Sequence, residues 1–400
     1  MSRTLYPGGK KPNKQRPKTL EIHGGETLAE REIRPGVARV TAFPLRRLRR
    51  AQDIFAGKKD GFVYTRINNP TVKKFEERLM AMEGAEAALA TSSGMSAIML
   101  LALALGHGGH IVSSNRLYGG VFHLFREYLP KLGIHVTFVD NPHSVEAWQA
   151  AIRPGTTRFL YLEAPSNPLI DVFDIRMIAA VAYSYGIPLV VDSTLATPVL
   201  LKPLSLGADI VVHSASKYMG NGEVIGGCIL GKKKVISDLR NGWFRDMGGC
   251  LSPDNAVILM SHLESLSARM IEHSTNAFRI AEYLSAHPKV RKVHHPAFGE
   301  DSRRNKELMP KGFGGLMAFD IVGGLDEARM VIEALKMPWL AANIGEARSL
   351  VIHPATTTHG QMNTEELAAA GMSESTIRYS VGREDPADLI EDLEQALELI

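Results

Sequence analysis

Between residues 110 and 213, short runs rich in β-branched residues recur five times, and helical stretches separate most of them. The runs cover 110–113, 136–139, 158–162, 188–191 and 209–213; residues 121–131 and 175–185 between them carry apolar side chains at helical spacing. Parallel strands need crossover connections, and helices are the usual crossovers. This rhythm therefore predicts an α/β fold: a mostly parallel sheet with helices on both faces. Upstream, Val72, Phe75, Leu79 and Met82 mark an amphipathic helix over 71–82, and 96–105 reads as a helix apolar nearly all round, hence buried.

Beyond residue 255 the pattern changes. A long helix is expected over 256–285, strand-like runs over 315–321 and 349–352, a helix near 325–335 and a terminal helix from Pro386. That is a smaller α+β domain. The 400 residues, at roughly 100–200 per domain, divide into an N-terminal segment at 1–62, a larger domain at 63–257 and a C-terminal domain at 258–400. Residues 1–20, rich in Pro, Gly and Lys, read as a flexible or draped arm.

Composition excludes more than it assigns. Hydrophobic residues make up 45% and charged residues 22%, which suits a soluble globular chain. The longest apolar run, 97–105, is far too short to span a membrane. Cys228 and Cys250 cannot build a disulfide framework, and the N-terminus is polar and basic without a signal-peptide pattern, so a cytoplasmic protein is expected. Residues 1–60 hold fifteen basic against six acidic side chains, whereas the remainder is mildly acidic. Such an arm suits nucleic acid, an acidic neighbour or another copy of the chain, and composition does not choose. No aromatic residues interleave the basic clusters in a stacking pattern, so nucleic acid is not expected. His107 with His110, and His353 with His359, lack the Cys or carboxylate companions of a ligand set, so no metal is expected either.

The chemistry gathers at strand ends. The run 188–191 leads into Asp192, and 209–213 leads into Ser214, Ala215, Ser216 and Lys217. Ligands collect at the carboxyl ends of parallel strands, so both clusters should face one crevice. Ser92, Ser93, Gly94, Met95 and Ser96 open the apolar helix, whose N-terminus is an anion site. A phosphate there, an acid at one strand end and a lysine at the next are what pyridoxal phosphate requires.

Eight segments in order carry a more specific likeness. They are Tyr-Thr-Arg-Ile-Asn-Asn-Pro-Thr at 64–71, Ser-Gly-Met-Ser at 93–96, Leu-Tyr-Gly-Gly at 117–120 and Pro-Ser-Asn-Pro at 165–168. Val-Asp-Ser-Thr at 191–194, Ser-Ala-Ser-Lys-Tyr at 214–218, His-Pro-Ala-Thr-Thr-Thr-His at 353–359 and Ile-Arg-Tyr-Ser-Val-Gly at 377–382 follow. The chain resembles the Cys/Met-metabolism family of pyridoxal-phosphate enzymes, similar to cystathionine γ-synthase and most like its O-acylhomoserine sulfhydrylase branch.

The resemblance implies fold type I with a seven-stranded sheet, and a homotetramer whose active sites are shared between subunits. It implies Lys217 as the lysine that bonds to the cofactor and shuttles protons, Asp192 at the pyridine nitrogen, and Tyr118 stacked on the ring and acting at the leaving group. Gly94, Met95, Ser214 and Ser216 would hold the phosphate, with Tyr64 and Arg66 reaching a neighbour's phosphate; the basic first sixty residues then read as an intersubunit segment. Arg378 would grip the substrate carboxylate, with Asn167 and Ser349 beside it.

Arg348, where cystathionine lyases tend to be acidic, would face an acyl group, and Gly120 stands where methionine γ-lyases carry cysteine. The implied reaction is γ-replacement on an O-succinyl- or O-acetylhomoserine by sulfide or a small thiol. The alternatives are γ-elimination on methionine, cystathionine or canavanine, and cystathionine γ-synthesis.

Overall fold

The computed structural model describes residues 15–26 and 36–400. Seven strands form the larger sheet: β1 (Ala87–Thr91), β2 (His110–Ser114), β3 (His135–Val139), β4 (Thr157–Glu163), β5 (Leu189–Asp192), β6 (Ile210–Ser214) and β7 (Gly227–Gly231). Their order is β1-β7-β6-β5-β4-β2-β3. Only β7 runs against the rest, pairing antiparallel with both β1 and β6. The carboxyl ends of β1, β4, β5 and β6 therefore share one edge of the sheet with the start of β7. Register makes this concrete, because Glu163 lies opposite Asp192 and Ser214 opposite Gly227.

The helix Gly94–Gly106 lies buried against this sheet, capped by the Ser93 hydroxyl, which accepts the Ser96 N–H at 3.0 Å. The helix Pro70–Glu83 is capped by Asn69 and stopped by Gly84 in the left-handed conformation, and it buries Phe75, Leu79 and Met82. Cys228, on β7, is buried, and its thiol is pushed up by burial.

A second sheet follows the order β10-β11-β12-β9-β8, built from β8 (Val290–His294), β9 (Leu316–Ile321), β10 (Trp339–Leu340), β11 (Leu350–Ile352) and β12 (Thr376–Ser380). Side chains alternate across its faces. Met317, Phe319, Val351, Ile377 and Tyr379 enter a core with the helices Leu266–Ser285, Leu325–Ala334 and Pro386–Leu397. Leu316 and Ala318 join the core of the large sheet instead. Arg378 shares their face and is thereby delivered to the crevice.

The expected helix over 256–285 is two, Pro253–Leu263 and Leu266–Ser285. At the break Arg269 donates to the carbonyls of His262 and Tyr218, so a tertiary contact offsets the interrupted ladder. Residue 257 lies inside the first helix, which packs on Pro70–Glu83. The expected helix over 121–131 is likewise segmented, into Gly119–His123, a π-type turn Leu124–Tyr128 and a 3-10 turn Pro130–Leu132.

Of the arm expected at 1–20, residues 1–14 lie outside the described residues. Pro17–His23 forms a helix docked on Pro70–Glu83, where Arg78 donates to the carbonyls of Glu21 and Gly24. No helix among the described residues is long and apolar enough to cross a membrane.

Candidate active site

The shared strand edge opens into a cavity of about 580 Å³. Nine of the thirteen residues expected from the sequence line it: Gly94, Met95, Tyr118, Asn167, Asp192, Ser214, Ser216, Lys217 and Arg378. At one end the helix Gly94–Gly106 begins, with the N–H groups of Gly94 and Met95 in its first turn. A Cβ on Gly94 would sit 2.6 Å from Ser214 Cβ, so only glycine lets this helix start approach the end of β6. That closeness concentrates two backbone donors with the hydroxyls of Ser214 and Ser216, a set suited to a phosphate.

At the other end two carboxylates are buried side by side. Glu163 accepts the N–H groups of Tyr118 at 2.8 Å and Asn167 at 3.2 Å. Burial and the charge of Asp192 push its carboxyl well above the usual range. Asp192 is raised by burial too, against the opposing hydrogen bonds of Thr194, whose N–H donates at 2.9 Å. A proton held on Glu163 would leave Asp192 as the anion suited to a protonated pyridine nitrogen.

Lys217 stands in the turn after β6. Burial, with the nearby Arg378 guanidinium, lowers its amine to about 8. Its Nζ donates to Asn343 Oδ1 at 2.6 Å, and Asn343 Nδ2 donates to Glu346 Oε1 at 2.7 Å. Arg378 on β12 donates to Asn167 Oδ1 and to the Asn343 carbonyl, each at 3.3 Å. Its Nε is buried and has no partner among the described residues, as expected of a guanidinium suited to an incoming carboxylate. The phosphate donors, buried acid, depressed lysine and carboxylate-binding arginine fit pyridoxal phosphate in charge and in order along the cavity.

Four expected residues lie elsewhere. Ser349 is fully buried, but its hydroxyl donates to Glu384 at 2.9 Å and accepts the Gly382 N–H, behind the site. It ties the approach to β11 to the segment after β12. Arg348, one residue earlier in the bend before β11, is exposed and does not line the cavity. Tyr64 is 40% exposed with the Arg66 guanidinium over its ring at 5.6 Å, and neither lines the cavity of its own chain. Arg66 donates to the carbonyl of Arg245.

Glu163 and Asn343 are the residues sequence reasoning missed. Glu163 carried a signal, since it follows the run 158–162 as Asp192 follows 188–191. The histidines at 353 and 359 are occupied by Thr356, the Glu374 carbonyl, Thr358 and the Leu117 carbonyl.

The family model for Cys/Met metabolism PLP-dependent enzymes matches residues 18–398. An O-succinylhomoserine sulfhydrylase of Pseudomonas aeruginosa is 39% identical over 95% of this chain and 94% of its own. An L-methionine γ-lyase of Fusobacterium nucleatum subsp. polymorphum is 39% identical over 86% of this chain and 88% of its own. Among solved structures, one described as an O-acetylhomoserine (thiol)-lyase of Campylobacter jejuni, with pyridoxyl-lysine monophosphate, superposes with a TM-score of 0.91 at 32% identity. That match covers 96% of this chain and 100% of the other. Sequence, fold and the chemistry of the cavity agree: the chain belongs to the Cys/Met metabolism family of pyridoxal-phosphate-dependent enzymes, and its fold is fold type I.

Proposed function

We propose that this enzyme catalyses γ-replacement on an O-acylhomoserine, with sulfide or a small thiol as acceptor, giving homocysteine or a related amino acid. Pyridoxal phosphate supplies the electron sink that lets the α- and β-protons leave and the γ-substituent depart. The protein's residues divide the remaining work. Arg378 and Asn167 hold the α-carboxylate; Lys217 Nζ moves the protons at Cα and Cβ; the Tyr118 hydroxyl stands where it can hand a proton to the leaving acyl oxygen. Asp192 and the donors of Gly94, Met95, Ser214 and Ser216 keep the cofactor in place.

The observation that carries the reading lies beside Tyr118. A Cβ on Gly120 would come within 2.6 Å of the Tyr118 ring, so a side chain there would make the ring shift. The cysteine expected of a methionine γ-lyase at this place would displace the tyrosine. The lining adds apolar Val224, Ile225 and Ile344, suited to an acyl chain, and among the described residues its cations are Lys217 and Arg378. Arg348, being outside, gives no preference for a succinyl ester.

A homotetramer with shared sites, in the cytoplasm, completes the proposal. Supporting it, Leu48 is 78% and Phe55 69% exposed at the two ends of the helix Leu48–Phe55, a surface suited to another copy. Titrating sulfide against O-acetyl- and O-succinylhomoserine tests the reaction. Homocysteine should appear in proportion to ester consumed while 2-oxobutanoate falls; ketoacid release unaffected by sulfide or thiol would refute it.

A further inference from the structure

The Tyr118 hydroxyl and ring are not themselves fastened: 40% of the residue is exposed, and no side-chain hydrogen bond fixes its ring among the described residues. The backbone around it is held at four polar groups. His359 Nε2 lies 3.2 Å from the Leu117 carbonyl, and Gln361 Nε2 donates to the Gly119 carbonyl at 2.8 Å. The Tyr118 N–H goes to Glu163, and its carbonyl accepts Val121 and Phe122 N–H groups. The Thr358 carbonyl presses on Gly119 so closely that any Cβ there would collide with it.

From these contacts we infer that the 358–361 loop, together with Glu163, is a clamp that sets the position of the Tyr118 ring, with His359, Gln361 and Glu163 as positioning residues. The histidine chemistry fits this task. His359 is fully buried and its imidazole is lowered to about 4 by burial, so it is neutral near pH 7. A carbonyl only accepts; Nε2 therefore carries the hydrogen toward Leu117, and Nδ1 accepts the Thr358 hydroxyl at 3.0 Å.

The clamp crosses the molecule. Its loop follows β11 of the small sheet, whereas Glu163 ends β4 of the large one and Tyr118 lies in the connection that follows β2. Glu163 also accepts the N–H of Asn167, whose Oδ1 receives Arg378. One carboxylate thus ties the leaving-group tyrosine to the carboxylate-binding pair, so that both ends of a substrate are referenced to the same point.

The inference rests on the proposed role of Tyr118, and two readouts separate their failures. In the holoenzyme, Gln361→Glu replaces a donor by an acceptor at an exposed position that folding tolerates. Hydrogen exchange over residues 115–121 should accelerate, and kcat/KM with the acylhomoserine ester should fall about tenfold, the effect of one lost hydrogen bond. In a Tyr118→Phe background the same substitution should cost no more than about threefold, the coupling expected of residues acting through one group. His359→Leu should behave like Gln361→Glu, and His359→Gln, which keeps a donor toward Leu117, should recover most of the loss.

Unchanged exchange over 115–121, or equal losses in both backgrounds, would overturn the clamp. Full activity of Tyr118→Phe alone would instead sink the role of the tyrosine, with the exchange result still judging the clamp.

Discussion

Burying a guanidinium costs several kcal/mol unless its donors are satisfied, and Arg378 is only 3% exposed with weak bonds to Asn167 and Asn343. Its charge suits a carboxylate, an anion that its contacts among the described residues do not supply. Arg378→Lys replaces a planar fork by a point charge. KM for the ester should rise by about ten- to a hundredfold, the worth of one charge-assisted bond, with a smaller change in kcat; steady-state kinetics decide.

Lys217 makes a prediction in pH. Its amine in the cofactor-free enzyme titrates at about 8, below the ordinary 10.5, and only the neutral amine attacks a carbonyl. Capture of pyridoxal phosphate, followed by the visible band of lysine-bound cofactor, should therefore accelerate as pH rises through about 8 and level off above it. Lys217→Ala should show no such band. The cavity positions of Asp192, Lys217 and Gly94 were legible because they end or follow a strand or open a helix, whereas Arg378, in the middle of β12, was marked only by its motif. Glu163 ends a strand as Asp192 does and carried that signal, whereas Asn343 acts through amide contacts, which motif chemistry does not advertise. Ser349 carried the expected residue type but is turned to Glu384.

Elements were legible where the apolar pattern was strong. The β-branched runs at 110–113, 158–162 and 209–213 became β2, β4 and β6, whereas β1 and β7 escaped notice. The Ala-Ala-Leu-Ala-Thr of β1 favours helix by propensity, and the Gly-Cys-Ile-Leu-Gly of β7 is short and bounded by glycine; pairing with neighbours overrides both. The split at 264–265 was equally silent, because Arg269 enforces it from tertiary structure rather than a Pro or Gly. At this scale the tightest constraint is Gly119 beneath the 358–361 loop. Gly119→Ala should destabilise the protein by about 1–3 kcal/mol, as overpacking does, and lower the midpoint of denaturant unfolding.

Across the described residues, the two cores are joined by a helix as well as by β9. Leu266–Ser285 gives Leu266 and Met270 to the large core and Ala277, Ile280 and Leu284 to the small one. Four of the buried histidines, His110, His273, His295 and His359, span the same structure, and each is lowered from 6.5 to about 4 by burial. The folded state resists protons that the unfolded chain binds below 6.5, so stability is complete above that pH and declines as pH falls toward 4. Each histidine contributes up to about 1.4 kcal/mol per pH unit in that window. Urea midpoints should drop between pH 7 and pH 5; a flat profile would contradict neutral burial of these rings. The basic balance of residues 1–60 was visible in composition, but its purpose was not, and Tyr64 and Arg66 do not line their own chain's cavity.

The direct test of the central claim compares kcat/KM for sulfide-dependent homocysteine formation from O-acetyl- and O-succinylhomoserine with kcat/KM for 2-oxobutanoate release from methionine and cystathionine, on one preparation. The geometry around Gly120 and Tyr118 predicts that at least one ester exceeds both amino acids. Ketoacid release from methionine or cystathionine that outpaces both esters, with no sulfide-dependent product, would contradict it.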